Sequence, residues 1–170
     1  MTRRSRPTTT VRRGFTIIEA SVSVIIVSVM LVAALQTVSQ AALLQHRIGQ
    51  RARAKELARA MMTEILQQAY VEPGASPTFG PEPGEVRSGF DDVDDYNGLV
   101  EASPTSKDGT GLTVNRGATW SRSVTVVWAN PVTLATASPQ VETGAKKITV
   151  TVFSGGSQIE SLVAIRTNPN

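Results

Sequence analysis

The sequence predicts an α+β fold in which a long N-terminal helix packs on a small antiparallel β-sheet. Three observations indicate this arrangement. Residues 15 to 71 contain no proline, and they change from wholly apolar to amphipathic. A segment rich in proline and glycine then breaks the helical pattern. The last third of the chain contains short runs that alternate apolar and polar residues, as strands with one buried face do.

The apolar run from Phe15 to Leu35 is long enough to cross a membrane. It has 21 residues and one charged side chain, that of Glu19. At helical rise it spans roughly 32 Å, against a hydrocarbon core of about 30 Å. The preceding residues, 1 to 14, carry five arginines and no acidic residue, which is typical of a segment kept on the cytoplasmic side. We therefore expect a transmembrane helix at 15 to 35, with the rest of the chain on the opposite side.

The residues Gly14-Phe15-Thr16-Ile17-Ile18-Glu19, followed by this apolar run, resemble the prepilin signature of type IV pilins and type II secretion pseudopilins. The resemblance implies that prepilin peptidase removes a leader of residues 1 to 14 by cleaving after Gly14, and that Phe15 is then N-methylated. It also implies that Glu19 neutralises the terminal ammonium of a neighbouring subunit as helices pack into a filament. A pilin-like fold, a bacterial inner-membrane location and a periplasmic C-terminal domain are further implications.

Two other interpretations of the N-terminal residues stay open. Glu19 lies near the end of its helix, so its carboxylate could reach the membrane interface without any partner. The residues Arg12-Arg13-Gly14-Phe15 also fit the twin-arginine form of a signal for an exported soluble protein, with cleavage near Ala34 or Ala42. A cleaved signal has an apolar region of roughly 7 to 15 residues, and the run here is longer and contains Glu19.

Composition argues against several classes of function. The net charge of +3 comes from 17 basic and 14 acidic residues, and loss of the five leader arginines leaves 12 basic residues against 14 acidic ones. We therefore expect no nucleic-acid partner. The chain has no cysteine and only one histidine, His46, so it offers little material for a zinc site or for a thiol or histidine catalytic centre. We expect no enzyme, and no cofactor other than the calcium considered below.

Residues 36 to 71 continue the helix as an amphipathic segment. Leu57, Met61 and Ile65 recur at helical spacing and form an apolar stripe. Five basic residues occur between positions 47 and 59, and we interpret them as a solvated helix face or a contact to lipid headgroups. They are Arg47, Arg51, Arg53, Lys55 and Arg59.

Residues 72 to 98 are predicted to form a connecting loop, rich in proline and glycine and then acidic. The acidic part offers oxygen ligands that calcium prefers, namely Asp91, Asp92, Asp94, Asp95 and Asn97. EF-hand spacing is absent, because Tyr96 stands where a further Asp or Asn is required. A solvated turn is the alternative to a calcium site. Together with residues 56 to 66, the acidic part resembles minor pilins of the mannose-sensitive haemagglutinin type.

Residues 99 to 170 are predicted to form the antiparallel sheet. We expect strands at 120 to 128, 147 to 153 and 158 to 166, the last two joined by a two-residue turn at Gly155-Gly156. That turn would place position 152 opposite 159 and position 148 opposite 163. Ile159, Val163 and Ile165 would then share a face with Ile148, Val150 and Val152, and this face would pack on the helix stripe.

The pattern as a whole predicts a minor pilin or minor pseudopilin, a subunit of a type IV pilus or type II secretion filament. Its partners would be prepilin peptidase, other pilins or pseudopilins and the inner membrane. The alternative from another class is a membrane-anchored domain that binds glycans or calcium and does not polymerise.

Overall fold

The computed structural model describes residues 14–74, 79–112 and 119–169. The part of the predicted leader up to Arg13, and Pro77 of the predicted loop, lie outside the described residues. Helix α1 spans Ile17–Leu66, and a short 3-10 turn spans Asp94–Tyr96. Four strands follow: β1 at Val100–Glu101, β2 at Trp120–Trp128, β3 at Ala145–Ser154 and β4 at Ser157–Thr167. The chain divides into two units, residues 1–46 and 47–170.

The first unit contains the apolar part of α1. Every described residue from Gly14 to His46 is exposed, including large apolar side chains such as Ile25 and Leu31. An 18-residue window of α1 reaches a mean hydropathy of 2.5, and none of that window is buried. By length and composition, this helix can cross a membrane.

The second unit has a core between the remainder of α1 and one face of the sheet. Leu57, Met61 and Ile65, the predicted apolar stripe, are at most 4% exposed. They pack in one cluster with apolar residues of β2 and β3, namely Val124, Val126, Ile148, Val150 and Val152. The α+β arrangement is therefore confirmed for this unit.

Helix α1 ends at Leu66, five residues before the predicted end at residue 71. After Leu66, Gln67 and Gln68 donate their amides to carbonyls three residues earlier, as in a tightened last turn. Ala69 then pairs with the acidic segment, because its amide donates to the carbonyl of Asp91 and its carbonyl accepts from the amide of Val93. This tertiary pairing takes Ala69 out of the helix.

The four strands form one antiparallel sheet in the order β1-β2-β3-β4. The turn at Gly155-Gly156 is as predicted, since Ser154 pairs with Ser157 and both glycines have positive φ. The predicted register beyond the turn is wrong. A β-bulge at Val152/Phe153 shifts the pairing by one residue, so that Val152 lies opposite Glu160 and Ile148 opposite Ala164.

The bulge changes which side chains of β4 meet the core. Leu162 and Ala164 pack against it, together with Ile159, whereas Val163 is 51% exposed. Side chains alternate between the two faces of a strand. A shift of the pairing by one residue therefore moves every second side chain of that strand from one face of the sheet to the other. The bulge thus accounts for the inward position of Leu162, which the predicted register would have placed on the outer side of the sheet, with Val163 facing inward.

An ionic network also ties the helix to the sheet. Arg122 occupies an inward position of β2 and is 1% exposed. Its Nε donates to Glu101 Oε2 at 2.6 Å, and its Nη1 donates to the carbonyl of Leu57 at 3.2 Å. Arg87 bridges Glu101 and Glu64, with 2.7 Å between its Nη2 and Glu64 Oε2. Burial lowers the pKa of Arg122, and the Glu101 carboxylate opposes that shift.

The neighbours Ile65 and Leu66 provide a test of the core. Ile65 is fully buried, whereas Leu66 is 36% exposed. In a fragment of residues 45 to 170, Ile65→Ala should lower the free energy of unfolding by about 2 to 5 kcal/mol, because it leaves a cavity. Leu66→Ala should cost roughly 1 kcal/mol or less. Urea unfolding measures both, and equal losses would contradict the described packing.

Candidate functional site

The two residues of the predicted processing site, Gly14 and Phe15, are exposed. Phe15 is 76% exposed, and a Cβ atom added at Gly14 would meet no atom within 4 Å. Gly14 also lacks the positive φ that favours glycine elsewhere in this chain. Nothing in the described fold therefore requires a glycine at this position.

Thr16 caps the N-terminus of α1. Its carbonyl accepts the amide of Ala20 at 3.1 Å, and its Oγ1 accepts the amide of Glu19 at 3.3 Å. A threonine followed three residues later by a glutamate is the sequence pattern of a capping box. The pattern is visible in the sequence, but the sequence interpretation considered Glu19 only for assembly or for contact with the membrane interface.

Glu19 differs from the other polar side chains in the apolar part of α1. Five hydroxyl groups there each donate to the backbone carbonyl four residues earlier, at 2.7 to 2.9 Å; they belong to Ser21, Ser23, Ser28, Thr37 and Ser39. These hydroxyls need no other partner. The Glu19 carboxylate, in contrast, has no hydrogen-bond or ion-pair partner within the three described ranges.

The acidic segment does not form the solvated turn that the sequence offered as the alternative to a calcium site. Asp92, Asp94 and Asp95 are each only 2% exposed, whereas Asp91 is exposed. Asp92 Oδ1 accepts the amides of Asp94 and Asp95, and Asp95 Oδ2 accepts those of Asp91 and Asp92. The carboxylates of Asp92 and Asp95 therefore fix the backbone around the 3-10 turn by accepting hydrogen bonds from its amides.

Asp94 and Asn97 have separate structural roles. Asp94 forms a buried ion pair with Lys146, and its Oδ2 accepts the amide of Gly80 at 3.1 Å. Asn97 Oδ1 accepts a hydrogen bond from the backbone amide of Val126 at 3.0 Å, and so provides a partner for this amide of β2. The five residues predicted to bind calcium are thus not gathered around one point.

Carboxylates do converge in two other combinations among the described residues. Oxygens of Glu72, Asp91 and Asp95 lie within 4.8 Å of one another, and so do those of Glu82, Glu85 and Asp95. The structure therefore joins two of the predicted residues, Asp91 and Asp95, with three glutamates that we had not selected. Carboxylate oxygens are suitable ligands for calcium, so a cation at this location stays a hypothesis.

The clustered carboxylates influence one another electrostatically. Partial burial, together with the charges of Asp91 and Glu82, raises the pKa of Glu72 to about 7. Burial also raises the pKa of Asp92 and Asp95, although Lys146 opposes the shift at Asp92. In each of these groups the surroundings therefore disfavour the charged form of the carboxyl.

Lys146 is a functional-site residue that the sequence interpretation missed. Its ammonium contacts Asp94 and the carbonyl of Tyr70, and it lies 4.7 Å from the ring centre of Tyr70 and 5.0 Å from that of Trp128. Burial lowers its pKa. The sequence did contain an indication of this role. Lys146 is an even number of positions from Ile148 and Val150, and side chains at such spacing share one face of a strand, so Lys146 lies on the inward face.

A cavity of about 320 Å³ lies beside this ion pair. Aromatic rings of Phe79 and Trp128, 5.0 Å apart between centres, form part of its wall. The remaining lining residues are Val71, Asp92, Asp94, Glu142, Lys146 and Asn168. Its size and its mixture of aromatic and charged groups are those of a small-ligand site.

No protein-family model, curated protein sequence or solved structure matches this chain.

The buried pair of Lys146 and Asp94 leads to a stability prediction. Lys146→Met should lower the free energy of unfolding by about 3 to 5 kcal/mol, because it leaves the Asp94 carboxylate buried without its cation. Adding Asp94→Asn should restore much of that loss, since the uncompensated charge is removed. Chemical denaturation of the single and double variants measures the difference, with Lys147→Met as control at the neighbouring, less buried position. A double variant no more stable than Lys146→Met would contradict the pairing.

Proposed function

We propose that this protein is a filament subunit processed like a prepilin, similar to the minor pilins of type IV pili or the minor pseudopilins of type II secretion systems. The observation that carries the proposal is the Glu19 carboxylate, which lies near the start of an exposed apolar helix and has no partner among the described residues. A charge in such a segment is costly in lipid, so it is usually retained for a function.

The exposed apolar surface of α1 supports the same proposal. Large apolar side chains between Phe15 and Leu44 lie open, so that they need cover from lipid or from other helices. The serine and threonine hydroxyl groups in this part donate hydrogen bonds to backbone carbonyls of the same helix. Because they need no other partner, lipid chains or neighbouring helices can pack closely against them. A subunit stored in the membrane and then packed among neighbouring helices would use the surface in both ways.

In this proposal the N-terminal residues have distinct roles. The arginines of residues 1 to 14 keep the leader in the cytoplasm, and prepilin peptidase cleaves after Gly14. Phe15 becomes the methylated terminus, and its ammonium is neutralised by Glu19 of an adjacent subunit. The second unit, residues 47 to 170, lies in the periplasm. No step requires a catalytic group or a bound cofactor from this chain.

The cavity at Trp128 favours a second candidate, a membrane-anchored domain that binds a small ligand and does not polymerise. Its mixed aromatic and charged wall suits a polar ligand such as a saccharide, a class already considered from the sequence. The two candidates differ in what they require of Glu19. Only the filament needs this carboxylate for contact with another subunit.

Processing can be tested by Gly14→Val. We expect wild-type protein to be shortened to a chain that starts with N-methylated Phe15, and the variant to keep its leader, because a branched side chain would block the scissile bond. Mass spectrometry of the purified N-terminus measures this. Gly49→Val is a matched control, since Gly49 also has open space around it and lies far along α1. A terminus near Ala34 or Ala42 would instead establish an exported protein with a cleaved signal.

Assembly can be tested by Glu19→Ala. In a lone anchored protein, the change removes a desolvation cost of up to about 3 kcal/mol and should leave the protein unaffected. In a filament it leaves a neighbour's ammonium unpaired among apolar helices, so co-assembly should fail although processing and insertion are normal. Cross-linking to the other subunits at equal membrane abundance measures the effect, with Glu56→Ala as control. Wild-type cross-linking of Glu19→Ala would count against the filament.

A further inference from the structure

The cavity beside Lys146 combines aromatic walls with an excess of carboxylates. Three acidic side chains line it, those of Asp92, Asp94 and Glu142, and one basic side chain, that of Lys146. Among the described lining residues, three negative charges and one positive charge leave a formal charge of −2. A cleft with one sign of charge in excess concentrates ligands of the opposite sign. The cavity therefore favours a positively charged occupant.

Lys146 does not neutralise the whole cavity. Its ammonium is engaged by the carboxylate of Asp94 and by the carbonyl of Tyr70. The charges of Asp92 and Glu142 are left over. Lys146 also demonstrates that this environment accommodates a cation against an aromatic ring, because its Nζ lies 5.0 Å from the ring centre of Trp128.

Asp92 and Glu142 each have one carboxylate oxygen to offer a ligand. The backbone bonds to Asp92 both go to Oδ1, and those to Glu142 go to Oε1, which accepts the Tyr70 hydroxyl at 2.9 Å and the Gly144 amide at 2.6 Å. No residue of the described ranges donates a hydrogen bond to Asp92 Oδ2 or Glu142 Oε2. Asp92 is only 2% exposed, and a charged group buried so deeply normally has a partner for its charge.

The aromatic pair of Phe79 and Trp128 provides the remaining part of the site. The two ring planes meet at 49°, so they do not stack flat on one another. Ring faces attract cations through their negative π-electron density. The same pair also borders a second cavity of about 320 Å³, and the other described residues lining that cavity are uncharged. They are Asn97, Val126, Val127 and Gln140. Charge therefore directs a cation to the first cavity.

We propose that the cavity beside Lys146 binds a small organic cation, whose ammonium group lies against the aromatic pair and close to Asp92 and Glu142. A volume of about 320 Å³ is at the lower end of the range for ligand sites, so the ligand is small. A neutral saccharide would donate hydroxyl groups to the same carboxylates, but it would leave their charge unbalanced. The inference goes beyond the filament function and does not depend on it.

A matched pair of probes tests the proposal on the full chain in detergent micelles. They are choline and the neutral alcohol in which carbon replaces the nitrogen of choline, so the two share one shape and differ in charge. The chain has two tryptophans, and NMR of their labelled indole groups measures binding. Choline should shift the signal of Trp128 and leave that of Trp120, which lies in the core, unchanged. It should bind about tenfold more tightly than the neutral alcohol.

Two conservative variants test the carboxylates. Glu142→Gln keeps an oxygen for Tyr70 and Gly144 but removes the charge, so it should weaken choline binding about fivefold and leave binding of the neutral alcohol unchanged. Asp92→Asn likewise keeps an oxygen for the backbone amides, and it should weaken choline binding by a larger factor because Asp92 is buried. Glu56→Gln is the control, since Glu56 is exposed on α1 and does not line the cavity.

Several outcomes would overturn the proposal. These are equal affinity for choline and the neutral alcohol, no shift of the Trp128 signal at millimolar choline, and undiminished choline binding by Glu142→Gln. Glucose that shifts Trp128 where choline does not would assign the cavity to saccharides and overturn the proposal as well.

Glu19→Ala separates this test from that of the filament. Glu19 belongs to the first unit, so the variant should bind choline as the wild type does. A failure of choline binding therefore concerns the cavity alone, and a failure of co-assembly concerns the filament alone.

Discussion

The structure depends above all on the packing of one face of α1 against one face of the sheet. Met61 and Ile65 are fully buried there, and so are Val126 and Ile148, although Val126 lies 61 positions after Ile65 in the chain. Removing this apolar surface from water stabilises the fold by about 25 cal/mol for each Å². The helix has a comparable apolar surface before His46, but no part of the described chain covers it. The same physical drive that forms the core therefore demands an external cover for the first unit.

Buried charges organise what surrounds that core. Arg122 and Lys146 both occupy inward positions of strands, and their partners, Glu101 of β1 and Asp94 of the 3-10 turn, both precede β2 in the chain. A buried charge without its partner is strongly unfavourable, so these pairs hold the connection in place. The acidic segment consequently has two parts. The buried carboxylates of Asp92, Asp94 and Asp95 serve the fold, whereas that of Asp91 is exposed.

Periodicity in the sequence was sufficient to predict the long helix, the strands β2 to β4 and the helix stripe. It was not sufficient for the register of β4, because a bulge such as that at Val152/Phe153 adds one unpaired residue without changing the local pattern that predicts the strand. The ion pair between Asp94 and Lys146 joins residues 52 positions apart, so no local pattern could reveal it. The inward parity of Lys146 could have indicated that a carboxylate was needed nearby. The acidic residues were recognised, but they were assigned to solvent or calcium for lack of this partner.

The position of Glu19 in the first turn of α1 gives its carboxylate a local role beside its proposed one. In the proposed mature chain, the ammonium of Phe15 would lie next to the N-terminus of α1, where the helix dipole is already positive. Glu19 is in the first turn, and it offsets both charges from about 6 Å along the axis. A free subunit in the membrane can therefore tolerate its own terminus before assembly. During assembly, the Glu19 carboxylate would change partners from the terminal ammonium of its own chain to that of a neighbouring subunit. No charge would then be left uncompensated at any stage of assembly.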